Sequence, residues 1–445
     1  MKDIIKKKSL SVCFFSHSSQ LGGAERCLLE LTTELVRDYG VICTVILPSD
    51  GSLKKELEKM GVSTLIINYS WWCNINIQSD KEIGTQFSIS TNKVLEAMAD
   101  LNKINPDIII TNTLVIPWGA LAAYFLQKPH VWYIHEFGEL EHGLKFYLPF
   151  KRILEIITDS SNLIFTCSNA VRKKLFGNSS KKNILTIHSY IDIPSNALQT
   201  KTNYFKRTNA TKLIITGHIT KSKGQKDAIL AIRELLQRKK NIELIIMGIA
   251  DMEYLIELRK IVEDGNLSEY IQFLDYKENP YDVVNQADIV LVCSRIEAFG
   301  LVTLEAMFMK KPVIGTNSGG TPEQIREGFN GLLYEPENYY QLANKIEYLI
   351  DHRREIKRLG KNGYTSIKKN LTKEKYGKKV YEQFKRLRNT KNLPSIPFNQ
   401  FVIYLINITI QEENRELKYI KSTFSYKVYK KMKEFIRNIG ISKAK

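Results

Sequence analysis

Residues 287–325 read ADIVLVCSRIEAFGLVTLEAMFMKKPVIGTNSGGTPEQI, and their reading decides the fold. The apolar run IVLVC has strand length, and LVTLEAMFMKK places Leu301, Leu304 and Phe308 at helical spacing before it closes on lysines. The Phe299–Gly300 turn therefore joins a buried strand to a helix that opens at Leu301. Glu297 stands just before this turn and Glu305 one helical turn beyond it. PVIGTN then starts a second strand, followed by the small residues Ser318, Gly319, Gly320 and Thr321 and a helix with Pro322 in its first turn. In open α/β sheets ligands bind beyond the carboxyl ends of the strands, where all of these residues fall. On this stretch alone, a surface glutamate and a helix glutamate without any ligand account for the pattern equally well.

The same alternation runs through most of the chain. LSVCFFSH leads into AERCLLELTTELVRDYG and VICTVILP into SLKKELEKMG; DIIITN, HVWYIHE and NLIFTCS follow, separated by helical patterns. This βαβα rhythm predicts parallel sheets wrapped by helices. It pauses at the polar stretch HSYIDIPSNALQTKTNYFKRTNAT (188–211) and restarts with KLIITGHI. We divide the chain into an N-terminal α/β domain over 1–195, a C-terminal α/β domain over 205–370, a helix over 371–395 returning to the first domain, and a basic extension over 396–445. One doubly wound sheet would need about ten strands, which crowds a single open sheet.

With 445 residues, 43% hydrophobic and 25% charged, the chain has the makeup of an ordinary globular protein of two or three domains. Its six cysteines form no C-x-x-C pair and mostly sit in apolar runs, which predicts buried free thiols in a reducing cytoplasm. The opening MKDIIKKKSLSVCFFSH has lysines before a hydrophobic run. That run is only about seven residues long, so a first strand fits it better than a signal peptide. No stretch approaches the roughly 20 apolar residues of a membrane span. The net charge of +18 points to anionic partners: phosphorylated substrates, an anionic membrane or nucleic acid. No zinc-finger, RNP-type or helix-turn-helix pattern supports the last of these, and we expect no nucleic-acid partner.

Three more stretches place chemistry at strand ends. Gly22 and Gly23 in SQLGGAERCLLEL lie between the first strand and first helix, where a bare backbone approaches a phosphate or sugar and the helix start favours an anion. A structural turn would use the same glycines, and the G-x-G-x-x-G fingerprint of a dinucleotide site is absent. ITGHITKSKGQKDAI ends a strand at Gly217–His218 and sets Lys223 just before a helix. A cation there opposes the helix dipole, so an anion such as a diphosphate is its natural partner. HVWYIHEFGE ends a strand at His135, next to Glu136. A lone histidine is often a satisfied structural one; at a strand's carboxyl end facing a second domain we read it as functional.

Together these residues resemble the retaining glycosyltransferases of family 4, the group 1 glycosyl transferases with the GT-B fold: two Rossmann-like domains with a cleft between them. The resemblance covers roughly residues 10–390 and rests on GGAER, NPDIIITN, WYIHE, the GHI…KG turn, SRIEAFGLVTLEAM, KPVIGTNSGGTPE and GFNGLLYEP. It implies that Glu297 lies beside the donor sugar, that Glu305 binds the nucleotide ribose, and that the loop between them offers N–H groups to the phosphates. It further implies a nucleotide diphosphate sugar as donor, transfer with retention, no metal and no cofactor. Lys223, the Phe299–Gly300 turn and the Gly22–Gly23 turn would stabilise the departing diphosphate, and His135 would steady the sugar. The family usually carries Gly-Arg where this chain has Gly217–His218, so charge must come from Lys223, backbone groups or another base such as Lys221.

The acceptor is read from the first domain. Trp71 and Trp72 in NYSWWCNINIQSD offer rings to a sugar, although packing explains them as well. GLKFYLPFKRILEII mixes aromatic and basic residues as a membrane-facing segment does. Within 421–445, Phe424, Val428, Met432, Phe435 and Ile439 form one stripe among lysines, and the tail follows two complete domains and needs no core role. A basic amphipathic helix of this kind lies on anionic headgroups. The expected partners are thus a nucleotide sugar, a lipid-linked or oligosaccharide acceptor and an anionic membrane surface, with the protein peripheral on the cytoplasmic face and serving cell-surface polysaccharide synthesis. A sugar-nucleotide epimerase or phosphorylase, or a non-catalytic nucleotide-sugar scaffold, are the rival functions.

Overall fold

The computed structural model describes residues 9–74, 79–139, 143–177, 182–193, 197, 202–277, 279–390, 399–405 and 407. The apolar runs assemble into two parallel sheets. The first contains β1 (Ser11–Phe15), β2 (Ile42–Leu47), β3 (Ser63–Ile66), β5 (Ile108–Thr111), β6 (His130–Ile134), β8 (Leu163–Thr166) and β9 (Ile184–Thr186), in the order β3-β2-β1-β5-β6-β8-β9. The second contains β10 (Thr211–Thr216), β11 (Ile242–Met247), β12 (Ile271–Leu274), β13 (Ile289–Val292), β14 (Val313–Thr316) and β15 (Leu332–Tyr334), in the order β12-β11-β10-β13-β14-β15. A short antiparallel pair, β4 (Cys73–Asn74) with β7 (Lys145–Phe146), stands beside the first sheet.

These strands are near-continuous apolar runs because helices cover both faces of each sheet. In β1, Val12 and Phe14 pack into one core and Cys13 and Phe15 into the opposite one. In β10, Leu213 and Ile215 face one core and Ile214 the other. β1 pairs in parallel with both β2 and β5, and β10 with both β11 and β13. At β1 and β10 the strand order changes direction, which opens a crevice beyond their carboxyl ends. The crevices of the two sheets share the boundary between the lobes, where Arg26 of the first reaches Glu305 of the second. All six cysteines are buried. Among the described residues, no helix is long and apolar enough to cross a membrane.

The chain returns to the first lobe after completing the second. Helix Lys373–Leu387 lies against helix Gly23–Tyr39: the Tyr39 and Tyr381 rings are 4.5 Å apart, and Lys373 pairs with Asp38 at 2.9 Å. Val380 and Phe384 join the core formed by Leu28, Leu31 and Leu35. Residues 399–405 are helical, and Phe401, Val402 and Leu405 are buried in the core of the first lobe. Phe401 meets Trp72 edge-on at 6.1 Å, and Trp72 in turn stacks on Trp132 at 6.0 Å. The root of the extension is part of the first lobe's core, with the apolar positions 401, 402 and 405 on one helix face that covers Trp72. Trp72 itself is fully buried, with its indole N–H donated to the Leu114 carbonyl at 2.9 Å, so it packs and presents no ring to a sugar. The basic stripe from Phe424 to Ile439 lies outside the described residues.

Removing the Phe401 ring leaves a cavity against Trp72. Phe401→Ala should destabilise the first lobe by roughly 3–5 kcal/mol, read as a lowered thermal midpoint; an unchanged midpoint would place the 399–405 helix outside the core.

Candidate active site

The second lobe supplies a carboxylate and an ammonium in contact. After β13 the chain runs through Ser294 and Glu297 to Gly300, whose φ of 86° is open to glycine and strained for other residues. Helix Leu301–Phe308 follows, and its first N–H groups have no partner inside the helix. The Glu297 carboxylate accepts from Lys223 Nζ at 2.9 Å and from Ser294 Oγ at 2.8 Å. Lys223 ends a short 3₁₀ turn, Lys221–Lys223, and the next residue, Gly224, also has positive φ. A Cβ on Gly224 would collide with the Cys293 carbonyl, so the lysine turn is pressed onto the end of β13. Gly319 and Gly320 perform the same service from the other side. Gly320 N–H donates to the Glu297 carbonyl at 2.6 Å, and a Cβ on either glycine would strike the backbone of Glu297 or Ala298. The Gln324 amide donates to the Phe299 and Gly300 carbonyls and pins the turn from behind. Thr321 is buried, which makes it part of this support; Ser318 remains half-exposed.

Gly217 and His218 follow β10, and both are exposed. Although His218 keeps an exposed edge, partial desolvation of its ring and then the charge of Lys223 lower its pKa, so its imidazole is neutral near pH 7. His218 therefore offers hydrogen bonds and no charge. Glu305 is buried one turn into helix Leu301–Phe308 and accepts from Arg26 Nη1 at 3.2 Å and Tyr281 Oη at 3.3 Å. Burial raises its pKa, and Arg26 opposes the rise.

The first lobe meets this from its own strand ends. His17 follows β1, and its Nδ1 lies 3.2 Å from Glu25 Oε1. The Glu25 carboxyl is buried and curls back to the Gly22–Gly23 turn, where a Cβ on Gly22 would lie 2.6 Å from its Oε2. The chain's own carboxyl therefore lies beside this helix start. Burial raises the Glu25 pKa to about 7, against the backbone hydrogen bonds at Glu25 and Gly22 that lower it. His135 bonds Asn112 Oδ1 through Nε2 at 3.0 Å, and burial, followed by His17, pushes its pKa down to about 3. It is a neutral hydrogen-bonding group. Glu136 is consumed by Thr113 Oγ1 and Leu114 N, both at 2.5 Å, and by His135 N at 2.8 Å, which marks it as structural. Trp71 is 38% exposed, with its indole N–H fixed on the His17 carbonyl at 2.8 Å.

Sequence reasoning passed over Arg26, Tyr281, His17, Glu25, His188 and Glu323. Arg26 had a signal: like Lys223, it is a cation at the start of a helix, a placement that asks for an anionic partner. Glu323 binds across the boundary, accepting from Asn169 N at 3.0 Å, Ala170 N at 2.7 Å and His188 Nε2 at 2.9 Å. Nothing local in TPEQ announces that. Among the described residues, no group of three or more His, Cys, Asp or Glu side chains is placed to hold a metal ion.

Glu25 makes stability depend on pH. Its folded pKa of about 7 lies above the ordinary 4.5, so raising the pH through that window ionises the unfolded chain first and weakens the fold, the penalty being complete above about 7. Glu25→Gln should therefore stabilise the protein at pH 8 by on the order of 3 kcal/mol at most, and hardly at all at the acid end of that window. Melting curves at both pH values test this; equal shifts at the two would refute it.

Comparison with known proteins agrees with this geometry. Residues 21–194 match the family described as Glycosyltransferase Family 4, and residues 199–366 match Glycosyl transferases group 1. The capsular polysaccharide biosynthesis glycosyltransferase CapM of Staphylococcus aureus is 23% identical over 288 residues, which span 61% of this chain and 73% of CapM. The N-acetyl-alpha-D-glucosaminyl L-malate synthase of Bacillus anthracis is 27% identical over 198 residues, 44% of this chain and 51% of its own length. HepE of Anabaena, solved in complex with UDP-glucose, has the same fold, with a TM-score of 0.68 at 21% identity over 85% of this chain and 100% of its own. TarM of Staphylococcus aureus, solved with alpha-GlcNAc-glycerol and UDP, superposes with a TM-score of 0.64 at 14% identity over 86% of this chain and 100% of its own. With both lobes matched and two Rossmann-like sheets facing one cleft, the chain belongs to the glycosyltransferases of group 1 and family 4, on the GT-B fold.

Proposed function

We propose that this glycosyltransferase moves a sugar from a nucleotide diphosphate sugar to a lipid-linked glycan acceptor, with retention, during cell-surface polysaccharide synthesis. The observation that carries the donor half is the Lys223–Glu297 contact, 2.9 Å long, beside the open start of helix Leu301–Phe308. The diphosphate draws Lys223 onto its oxygens and takes the N–H groups at Gly300 and Leu301. Glu297, released from the lysine, then accepts from hydroxyls of the sugar. Ribose hydroxyls replace Arg26 at Glu305, and Arg26 turns to the phosphates. It supplies from the first lobe the second cation that a neutral His218 lacks.

In the transfer, the bond between the sugar's anomeric carbon and the diphosphate oxygen breaks, and that oxygen gathers charge. The acceptor hydroxyl attacks on the same face, forming the new glycosidic bond, and its proton passes to the departing phosphate oxygen. Lys223 and the helix-start N–H groups stabilise that phosphate, an electrostatic contribution of the kind that dominates such steps. Neutral His135 holds a sugar hydroxyl without repelling positive charge that develops on the ring. No metal or cofactor enters this scheme.

For the acceptor, the support is the polysaccharide setting of CapM, the basic composition, and the Lys145–Arg152 segment of exposed lysines and half-buried aromatics beside the root of the tail. We place the protein peripherally on an anionic cytoplasmic membrane face. The neutral His218 favours one alternative, a non-catalytic nucleotide-sugar scaffold.

Nucleotide release from UDP-, GDP- and dTDP-sugars with crude lipid extract as acceptor tests both readings, UDP-glucose coming first because HepE was solved with it. Binding without release would favour the scaffold. Lys223→Ala should lower transfer by roughly 10²–10³-fold, and a loss within about threefold would overturn the role of that lysine. A chain ending at residue 407 keeps the buried root and loses the basic tail. It should float less with phosphatidylglycerol-containing liposomes than the full chain, and full-length protein that fails to float would remove the membrane from the proposal.

A further inference from the structure

We infer that Glu323 is a positioning residue that holds the Phe299–Gly300 turn in register with the first lobe; its effect on catalysis rests on the transfer reading above. The side chain leaves the first turn of helix Thr321–Gln324 and crosses the boundary between lobes. Its Oε2 accepts from Asn169 N at 3.0 Å, Asn169 Nδ2 at 2.9 Å and His188 Nε2 at 2.9 Å, and its Oε1 accepts from Ala170 N at 2.7 Å. Asn169 and Ala170 open helix Asn169–Phe176 of the first lobe. The capping residue of that helix, Ser168, takes only the Val171 N–H, at 3.1 Å. The second lobe thus completes a helix cap that the first lobe leaves unfinished, with a negative charge at the favourable end of the dipole.

The same residue is tied to the catalytic turn by two routes. His188, held by Glu323, lies flat on Phe299 with the ring centroids 5.1 Å apart and the planes 3° from parallel. The neighbouring Gln324 donates to the Phe299 and Gly300 carbonyls. Any rotation of the lobes about their linker must either break the four hydrogen bonds of Glu323 or carry the turn along. The Arg26–Glu305 pair joins the lobes at a second point, and it is available for exchange with substrate in a way that Glu323, fully engaged with protein donors, is not. Glu323 is the fixed member of the two contacts.

The test separates this inference from the reading it rests on. Because the native cysteines are all buried, spin labels can be set at Lys59→Cys in the first lobe and Lys260→Cys in the second, both exposed. Pulsed dipolar measurement without ligand should give one narrow distance distribution. Glu323→Ala and Glu323→Gln should both broaden it and lengthen its mean, and His188→Ala should do so to a lesser degree. Two Glu323 variants guard against one failing to fold, which a melting curve reports. Parent-like distributions in both would overturn the inference whether or not the protein transfers sugar. In turnover, Glu323→Gln should lose roughly ten- to a hundredfold in kcat, as expected of misplaced groups, while calorimetric affinity for UDP stays unchanged. Equal losses in both would make Glu323 a binding residue and refute positioning. A parent chain that neither binds UDP, GDP or dTDP nor releases nucleotide would sink the transfer reading and leave the distances to decide the latch.

Discussion

Three turns at neighbouring strand ends of the second lobe touch backbone to backbone, and the placing of Lys223 against Glu297 depends on that closeness. Gly320 N–H reaches the Glu297 carbonyl at 2.6 Å, and Gly224 seats against the Cys293 carbonyl. A side chain at Gly224, Gly319 or Gly320 would force these turns apart, because each Cβ would meet main-chain atoms that have nowhere to go. With the turns pressed together, a lysine from one and a glutamate from the next stand 2.9 Å apart just before helix Leu301–Phe308. The glycines thus let the backbone carry Lys223 and Glu297 to each other.

Around this frame, two carboxyls depend on distant partners. Glu305 depends on Arg26 across the cleft, and Glu323 on donors of the other lobe and the linker. Glu25 finds no cation of its own and responds by holding its proton to about pH 7. A buried charge left without its partner is costly. The Glu305 carboxyl is therefore tied to the position of the lobes: separating them removes Arg26 and leaves it in need of other donors. The histidines near the cleft are of the opposite kind. His135 and His218 are held neutral, the first mainly by burial and the second by burial together with Lys223. The Lys223 and Arg26 cations each pair with a carboxylate of the second lobe, Glu297 and Glu305.

What the sequence by itself determined is the set of local structures. The period-two and helical patterns, the glycines at strand ends and the E-x7-E spacing were legible because they depend on chain geometry over a few residues. The two-lobed fold, Glu297, Glu305, Lys223 and the turn at Phe299–Gly300 all came from that level. Partners far apart in the chain were not legible. Arg26 meets Glu305, Glu323 meets Asn169, and Phe401 covers Trp72 only because the lobes and the returning chain bring them together. The same holds for protonation: nothing in HVWYIHE or GGAER says that His135 is neutral or that Glu25 titrates near 7, since burial sets both. Spacing along the chain decides which way a side chain leaves the backbone. What it finds there, and how much water remains around it, is decided by packing between segments hundreds of residues apart.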